Sequence, residues 1–195
     1  MAMVLYHRLA VRNYTSMTMN ITIRKEEKKD FKTVFNLVER AFEKELMSDH
    51  KEQELVERLR NSEAFVPELS LVAEIGKQIV GYVLLTKIQI VNETFETESL
   101  AMAPVAVLPE FQGKGVGARL IESAHKKAKE LGFGSVVLLG HEGYYPRFGY
   151  EMAKDYGIRL PFEVPDENCM VIELVQGTLK YANGTVRYPK EFGIE

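Results

Sequence analysis

The chain has 195 residues, 46% of them hydrophobic and 27% charged, with a formal net charge of −3; that size and balance suit one compact domain with a sizeable core. The slight acidity gives no electrostatic reason to expect nucleic acid as a partner, since such domains usually show a strongly basic patch, and no apolar run approaches the ~20 residues that cross a bilayer. A single cysteine, Cys169, permits no internal disulfide, so nothing points to secretion and a cytoplasmic location is expected.

Residues 1–18 mix Tyr6, His7, Arg8, Arg12, Asn13 and Tyr14 with short apolar pieces, too polar for a signal-peptide core. They read as a disordered extension, with Met19 as a candidate start of the functional chain. N-terminal sequencing of native protein that finds Met1 retained would count against that start. The domain is expected over 19–165, with 166–195 adding a strand and a hairpin to it.

Residues 21–24 read as a short strand. Phe31, Val34, Phe35, Leu37, Val38, Ala41 and Phe42 then recur at helical spacing and predict an amphipathic helix. Leu55, Val56 and Leu59 predict a shorter helix over 52–60, before Pro67 breaks the chain. Residues 69–75 and 78–90 alternate around Gly76-Lys77, as an antiparallel hairpin does, and 98–107 is the next strand. A third helix places Val116, Leu120, Ile121, Ala124, Ala128 and Leu131 on one face and stops at Gly132. Its opposite face carries Arg119, Glu122, Lys126, Lys127 and Lys129, a solvated surface from which one lysine could still reach a phosphate. Residues 135–139 form a short, continuously apolar strand, as expected of a parallel strand covered on both faces. Strands follow over 169–175, 179–182 and 185–188, the last two joined by Asn183-Gly184, a strong two-residue hairpin signal.

The most informative stretch is 105–117: an apolar strand, Pro109 as its stop, and then Gly113, Gly115 and Gly117 opening the third helix. A helix leaves its first amides without internal partners and carries partial positive charge at that end, so an anion satisfies both. Glycines let the loop take positive φ and bring main-chain amides close to a pyrophosphate, with Lys114 and Arg119 nearby as cations. The two common nucleotide loops do not fit. The third glycine comes one residue early for G-x-G-x-x-G, the strand over 135–139 carries no acid, and G-x-x-x-x-G-K-[ST] is absent.

Gln112-Gly113-Lys114-Gly115-Val116-Gly117 instead resembles the [Q/R]-x-x-G-x-[G/A] signature of the GCN5-related N-acetyltransferase (GNAT) superfamily. A second block, Tyr144-Tyr145-Pro146-Arg147-Phe148-Gly149-Tyr150, is similar to that family's Tyr-x-x-x-Gly-[Phe/Tyr] element, in a form found in a branch of uncharacterised bacterial-type acetyltransferases. The resemblance spans about 21–161. It implies an α/β (α+β) acyl-CoA N-acyltransferase fold. This has a mixed, mostly antiparallel sheet flanked by helices, a splayed parallel pair of fourth and fifth strands, and here a C-terminal hairpin extension.

The resemblance also implies acetyl-CoA as co-substrate and direct transfer of its acetyl group to a primary amine. Val105, Ala106 and Val107 would pair with the pantetheine amides and supply an oxyanion-binding N–H. Gln112, Gly113, Lys114, Gly115, Val116, Gly117 and Ala118 would hold the pyrophosphate. Tyr145, four residues before Gly149, would protonate the departing thiolate, since a phenol stays protonated at neutral pH; Tyr144 is its rival. The base is open between His141, Glu98, Glu142 and an external base through water. His7, His50, His125 and His141 are scattered, without a metal-binding spacing, so no metal is expected. The second reading is a non-catalytic acyl-CoA sensor or interaction module on the same fold. The acceptor amine, small molecule or protein, is not legible, and a homodimer is compatible with the fold.

Overall fold

A computed structural model describes residues 20–45 and 48–194; the expected N-terminal extension and the start at Met19 lie outside the described residues. In chain order come β1 (Ile21–Lys25), α1 (Phe31–Phe42), α2 (Glu52–Arg60), β2 (Phe65–Ile75), β3 (Gln78–Val91), β4 (Glu96–Val107), α3 (Val116–Glu130), β5 (Ser135–Leu139), β6 (Glu151–Met152), β7 (Ile158–Arg159), β8 (Cys169–Glu173) and β9 (Gly184–Arg187). One mixed sheet runs β1-β2-β3-β4-β5-β8-β6, with β9 joined to β3 and β7. Along the main path only β4 and β5 are parallel, and α3 makes the crossover between them.

Strand alternation decides which helix packs where. On one face Leu71, Val83, Leu85, Leu100, Met102, Val136 and Leu138 meet the apolar stripe of α3, Val116, Leu120, Ile121, Ala124 and Ala128. Leu120 and Ile121 are fully buried, each contributing roughly 1.5–3 kcal/mol. On the other face Val72, Tyr82, Leu84 and Ala106 meet Val34, Leu37 and Val38 of α1 and Val56 and Leu59 of α2. That second face continues through Ile88, Ile90, Ala101, Val137, Val171 and Val186.

A buried ion pair fastens α2 to the sheet. Arg60 donates to Glu26 from Nε at 3.1 Å and from Nη2 at 2.5 Å, their side chains being 5% and 1% exposed. Ser70 Oγ donates to Glu26 Oε2 at 2.7 Å and lies 2.8 Å from the Tyr82 hydroxyl. The Arg60 guanidinium also covers the Phe31 ring at 4.1 Å. The carboxylate is thus compensated from several sides, which a buried charge requires.

Three features depart from the sequence reading. β2 starts at Phe65, so Pro67 lies inside a strand where a break was expected; the β2–β3 register shifts between Phe65 and Ser70, and Pro67 sits in that irregular stretch, where no ladder N–H is demanded. The terminal hairpin takes another form. Thr178–Tyr181 is a 3-10 turn, and β9 pairs antiparallel with Gln89–Val91 of β3 and parallel with β7. Asn183-Gly184 therefore leads into an existing sheet edge instead of reversing the chain on itself. The two-residue strands β6 and β7 were not foreseen, being too short to carry a period. Among the described residues, no helix is long and apolar enough to cross a membrane.

Candidate active site

The site is built where β4 and β5 part. They share only the pairs Leu100–Val136 and Ala101–Val137. β4 then continues to Val107 paired with β3 alone, through Met102–Leu85, Val105–Val83, Ala106–Tyr82 and Val107–Gly81. Its edge toward β5 is therefore unpaired from Met102 onward, leaving main-chain groups that a ligand running along the cleft can bond. Val105, Ala106 and Val107 lie on this stretch.

Beyond β4 the chain is held tightly before the glycines. Leu108 N–H donates to Val80 O at 3.0 Å, and Phe111 N–H closes the turn Pro109–Phe111 on Leu108 O at 2.8 Å. Gln112 Nε2 donates to Val107 O at 3.1 Å, so this side chain ties the loop back to the end of β4. Lys114 Nζ lies 5.4 Å from the Phe111 ring. Gly113 and Gly115 adopt φ of +69° and +82°, left-handed geometry that costs other residues about 1–2 kcal/mol. Gly115 is the N-cap of α3, no side chain caps that end, and the first helical bond runs from Arg119 N–H to Gly115 O at 3.1 Å. The amides of Val116, Gly117 and Ala118 are left for an anion.

Gly117 differs from the expectation of positive φ for the whole loop. It is helical, and its requirement is space, because a Cβ there would lie 3.0 Å from the Tyr144 hydroxyl oxygen. Tyr144 thus reaches the first turn of α3 from the segment after β5. The Tyr145 ring, by contrast, lies over Gly140, where a Cβ would fall 2.2 Å from its Cε2. It meets Tyr144 edge-on at 5.1 Å and Tyr150 edge-on at 5.8 Å. Burial pushes the Tyr145 phenol up to about 12 and raises Tyr144 as well, so both remain O–H donors at neutral pH. Tyr150 is buried, and its hydroxyl shares a 2.9 Å hydrogen bond with His125 Nε2 on α3.

The base candidates are spread out. His141 shares a turn with the tyrosines, Tyr144 N–H donating to its carbonyl at 3.0 Å. Its imidazole is exposed, with Nε2 at 3.9 Å from Glu45 Oε1. Glu142 is exposed on the same turn. Glu98 is exposed and pairs with Gln89. It precedes the last β4–β5 pair, whereas β5 runs on to Leu139 before the tyrosine turn, a separation of about 16 Å along the strands. The structure therefore groups His141 and Glu142 with Tyr145 and leaves Glu98 apart. Among the described residues, no group of three or more His, Cys, Asp or Glu side chains could hold a metal ion.

Sequence reasoning missed the seats of the two tyrosines. Gly140, ending an apolar strand just before a tyrosine pair, carried the signal of a close approach. The His125–Tyr150 bond joins residues 25 apart and left no such signal.

The splayed strands, the uncapped glycine-rich helix start and the tyrosine turn define an acyltransferase architecture, and the chain belongs to the acetyltransferase (GNAT) family, whose model matches residues 31–150. It is 36% identical over 140 residues to YjhQ of Escherichia coli K12, named an uncharacterised N-acetyltransferase, covering 70% of this chain and 77% of that one. The crystal structure of the N-acetyltransferase YhbS from Escherichia coli in complex with CoA superposes with a TM-score of 0.80 at 28% identity, over 89% of this chain and 92% of that one. A GNAT acetyltransferase from Brucella melitensis in complex with acetyl-CoA gives 0.73 at 29% identity, over 89% and 99%.

Proposed function

We propose that the protein transfers the acetyl group of acetyl-CoA to a primary amine. The observation that carries this reading is the parting of β4 and β5 after Ala101–Val137, which opens an unpaired strand edge leading to the uncapped start of α3. The pyrophosphate takes the amides of Val116, Gly117 and Ala118 within the loop from Gln112, beside Lys114, and the pantetheine arm takes the edge of β4 at Val105, Ala106 and Val107. The complexes of the two structural relatives with CoA and acetyl-CoA support this placement.

The chemistry then needs no covalent enzyme intermediate. The amine attacks the thioester carbonyl, the C–N bond forms, and an N–H of the β4 edge receives the oxyanion. The C–S bond breaks as the Tyr145 O–H protonates the thiolate. The amine's surplus proton passes to His141 or through water to bulk solvent, which returns the tyrosine proton. Holding both reactants in line supplies much of the acceleration. The same reading has the enzyme acting in the cytoplasm, with no nucleic acid as partner, alone or as a homodimer.

The test is coenzyme A release from acetyl-CoA across a panel of amines, with wild type and Tyr145→Phe side by side. Release that depends on one amine class, with kcat falling about 10²-fold or more in the variant and acetyl-CoA affinity nearly intact, is the expected result. Binding of acetyl-CoA with no release by any amine would instead establish a sensor on this fold. Unchanged turnover in Tyr145→Phe would remove the acid assignment.

A further inference from the structure

Arg147 stands in the tyrosine turn with its guanidinium 4.1 Å above the Tyr144 ring and 5.7 Å from the Phe148 ring. Its Nε donates to Tyr144 O at 2.8 Å. Among the described residues, no carboxylate lies within 4 Å of its terminal nitrogens; Arg119 and Arg159 share that condition, whereas Arg24, Arg40, Arg58, Arg60 and Arg187 each have one, and of the three without a partner Arg147 is the one stacked on aromatic rings. Arg147 is thus an exposed cation held in place without an anion. The ring that holds it ends, at its hydroxyl, against Gly117 in the first turn of α3. One tyrosine ring therefore spans from the uncapped amides of α3 to a free guanidinium fork.

We propose that Arg147 is a second arm of the phosphate site, gripping a phosphate group of the bound coenzyme from the side opposite the glycine loop. This rests on the coenzyme A reading above and adds a residue from a different element of the chain. A stacked guanidinium has already lost much of its side-chain freedom, so two parallel N–H···O bonds to a phosphate cost less ordering than they would from a free lysine. The α3 lysines are poorer candidates. Lys126, Lys127 and Lys129 lie some 15 Å or more along the helix from its start, and Lys127 is engaged with Glu130 at 2.6 Å.

The experiment is calorimetric binding of coenzyme A, dephospho-coenzyme A and pantetheine to wild type, Arg147→Gln and Arg147→Lys, with acetyl transfer from acetyl-CoA and acetylpantetheine measured alongside. Arg147→Gln is expected to weaken coenzyme A about 10–100-fold, with the loss falling on Kd and KM far more than on kcat, and Arg147→Lys to recover part of the loss. A loss with coenzyme A that is absent with dephospho-coenzyme A assigns the 3′-phosphate. Equal losses with both assign the pyrophosphate. Unchanged coenzyme A affinity overturns the proposal. So does an equal loss with the phosphate-free pantetheine compounds, because Arg147 would then only shape the tyrosine turn. Since binding is read apart from turnover, coenzyme A binding that depends on Arg147 with no transfer to any amine would remove the transferase reading alone. A wild type that binds no coenzyme A would remove both.

Discussion

At the scale of single residues, the side chains behind the tyrosine turn make a pH-dependent contribution to stability. Burial pulls the His125 imidazole down to about 4 from its ordinary 6.5, and its Nε2 shares the bond with the buried Tyr150 hydroxyl. The folded chain therefore keeps His125 neutral while the unfolded chain protonates it below about pH 6.5. Where the unfolded state binds more protons, stability falls as pH falls. This contribution is whole above 6.5 and is lost between 6.5 and about 4; its size is on the order of 3 kcal/mol. Glu122, Lys126 and Lys129 on the same helix are exposed and act on it only through solvent. His125→Gln keeps a hydrogen-bonding group that does not titrate. Denaturant midpoints at pH 7 and pH 4.5 should fall further in the wild type than in this variant. Parallel losses would show that another group carries the acid sensitivity. The consequence reaches the site, since Tyr150 supports the Tyr145 ring edge-on at 5.8 Å.

At the scale of elements, β9 illustrates a strand whose position is set from outside itself. Gly184 has φ of +143°, and a Cβ there would lie 2.2 Å from the carbonyl oxygen of Val91. The obstacle is backbone, which cannot rotate away as a side chain can. Gly184→Ala should cost about 3 kcal/mol or more through strain and overlap, lowering the melting temperature by roughly 6–12 °C. The loss should be local first. Amide exchange at Val186 and at Gln89–Val91, which pair in β3 and β9, should quicken more than exchange in β1. A variant with native exchange at these amides would show that β9 does not depend on the close approach. The same strand marks the limit of what the sequence discloses. The apolar stripes of α1, α2 and α3 survive any tertiary setting, because a helix folds on contacts within a few residues. Asn183-Gly184 carries an equally strong local signal, yet the free edge of β3 beyond β2 competes for the following residues and wins. The glycine loop was legible because its chemistry is contiguous, and Gly113 and Gly115 act through their own backbone. The seats of Tyr144 on Gly117 and of Tyr145 on Gly140 join two or three elements, and only the folded chain discloses them.

At the scale of the whole molecule, the sheet divides at the cleft. β1 to β4 form one antiparallel block and β5, β8 and β6 another, and β4 meets β5 directly through the ladder pairs Leu100–Val136 and Ala101–Val137 and the buried 2.7 Å hydrogen bond between the Ser99 and Ser135 hydroxyls. Side-chain packing adds to these few bonds: α3 covers residues from both blocks, as in Leu85, Leu100, Val136 and Leu138, and the opposite cluster does the same through Ala101, Val137 and Val186. A ligand lying in the cleft would bond β4 on one side and the tyrosine turn after β5 on the other, adding a bridge where hydrogen bonding is thinnest. Anything that binds only the folded state stabilises it by RT ln(1 + [L]/Kd), about 2.7 kcal/mol at a hundredfold excess over Kd. For a chain of this length that corresponds to a rise of roughly 5–10 °C in melting temperature. Coenzyme A at such an excess should give this rise as a single transition, with the slowing of amide exchange concentrated in β5 and β8 relative to β1 and β2. Pantetheine at the same concentration should give much less, because it lacks the phosphates that the start of α3 and Arg147 would hold. An equal rise from both compounds would locate all the binding energy in the cleft and none in the glycine loop. Two separate transitions in the free protein would show that the packing across α3 does not couple the blocks, and coenzyme A would then raise only the later one.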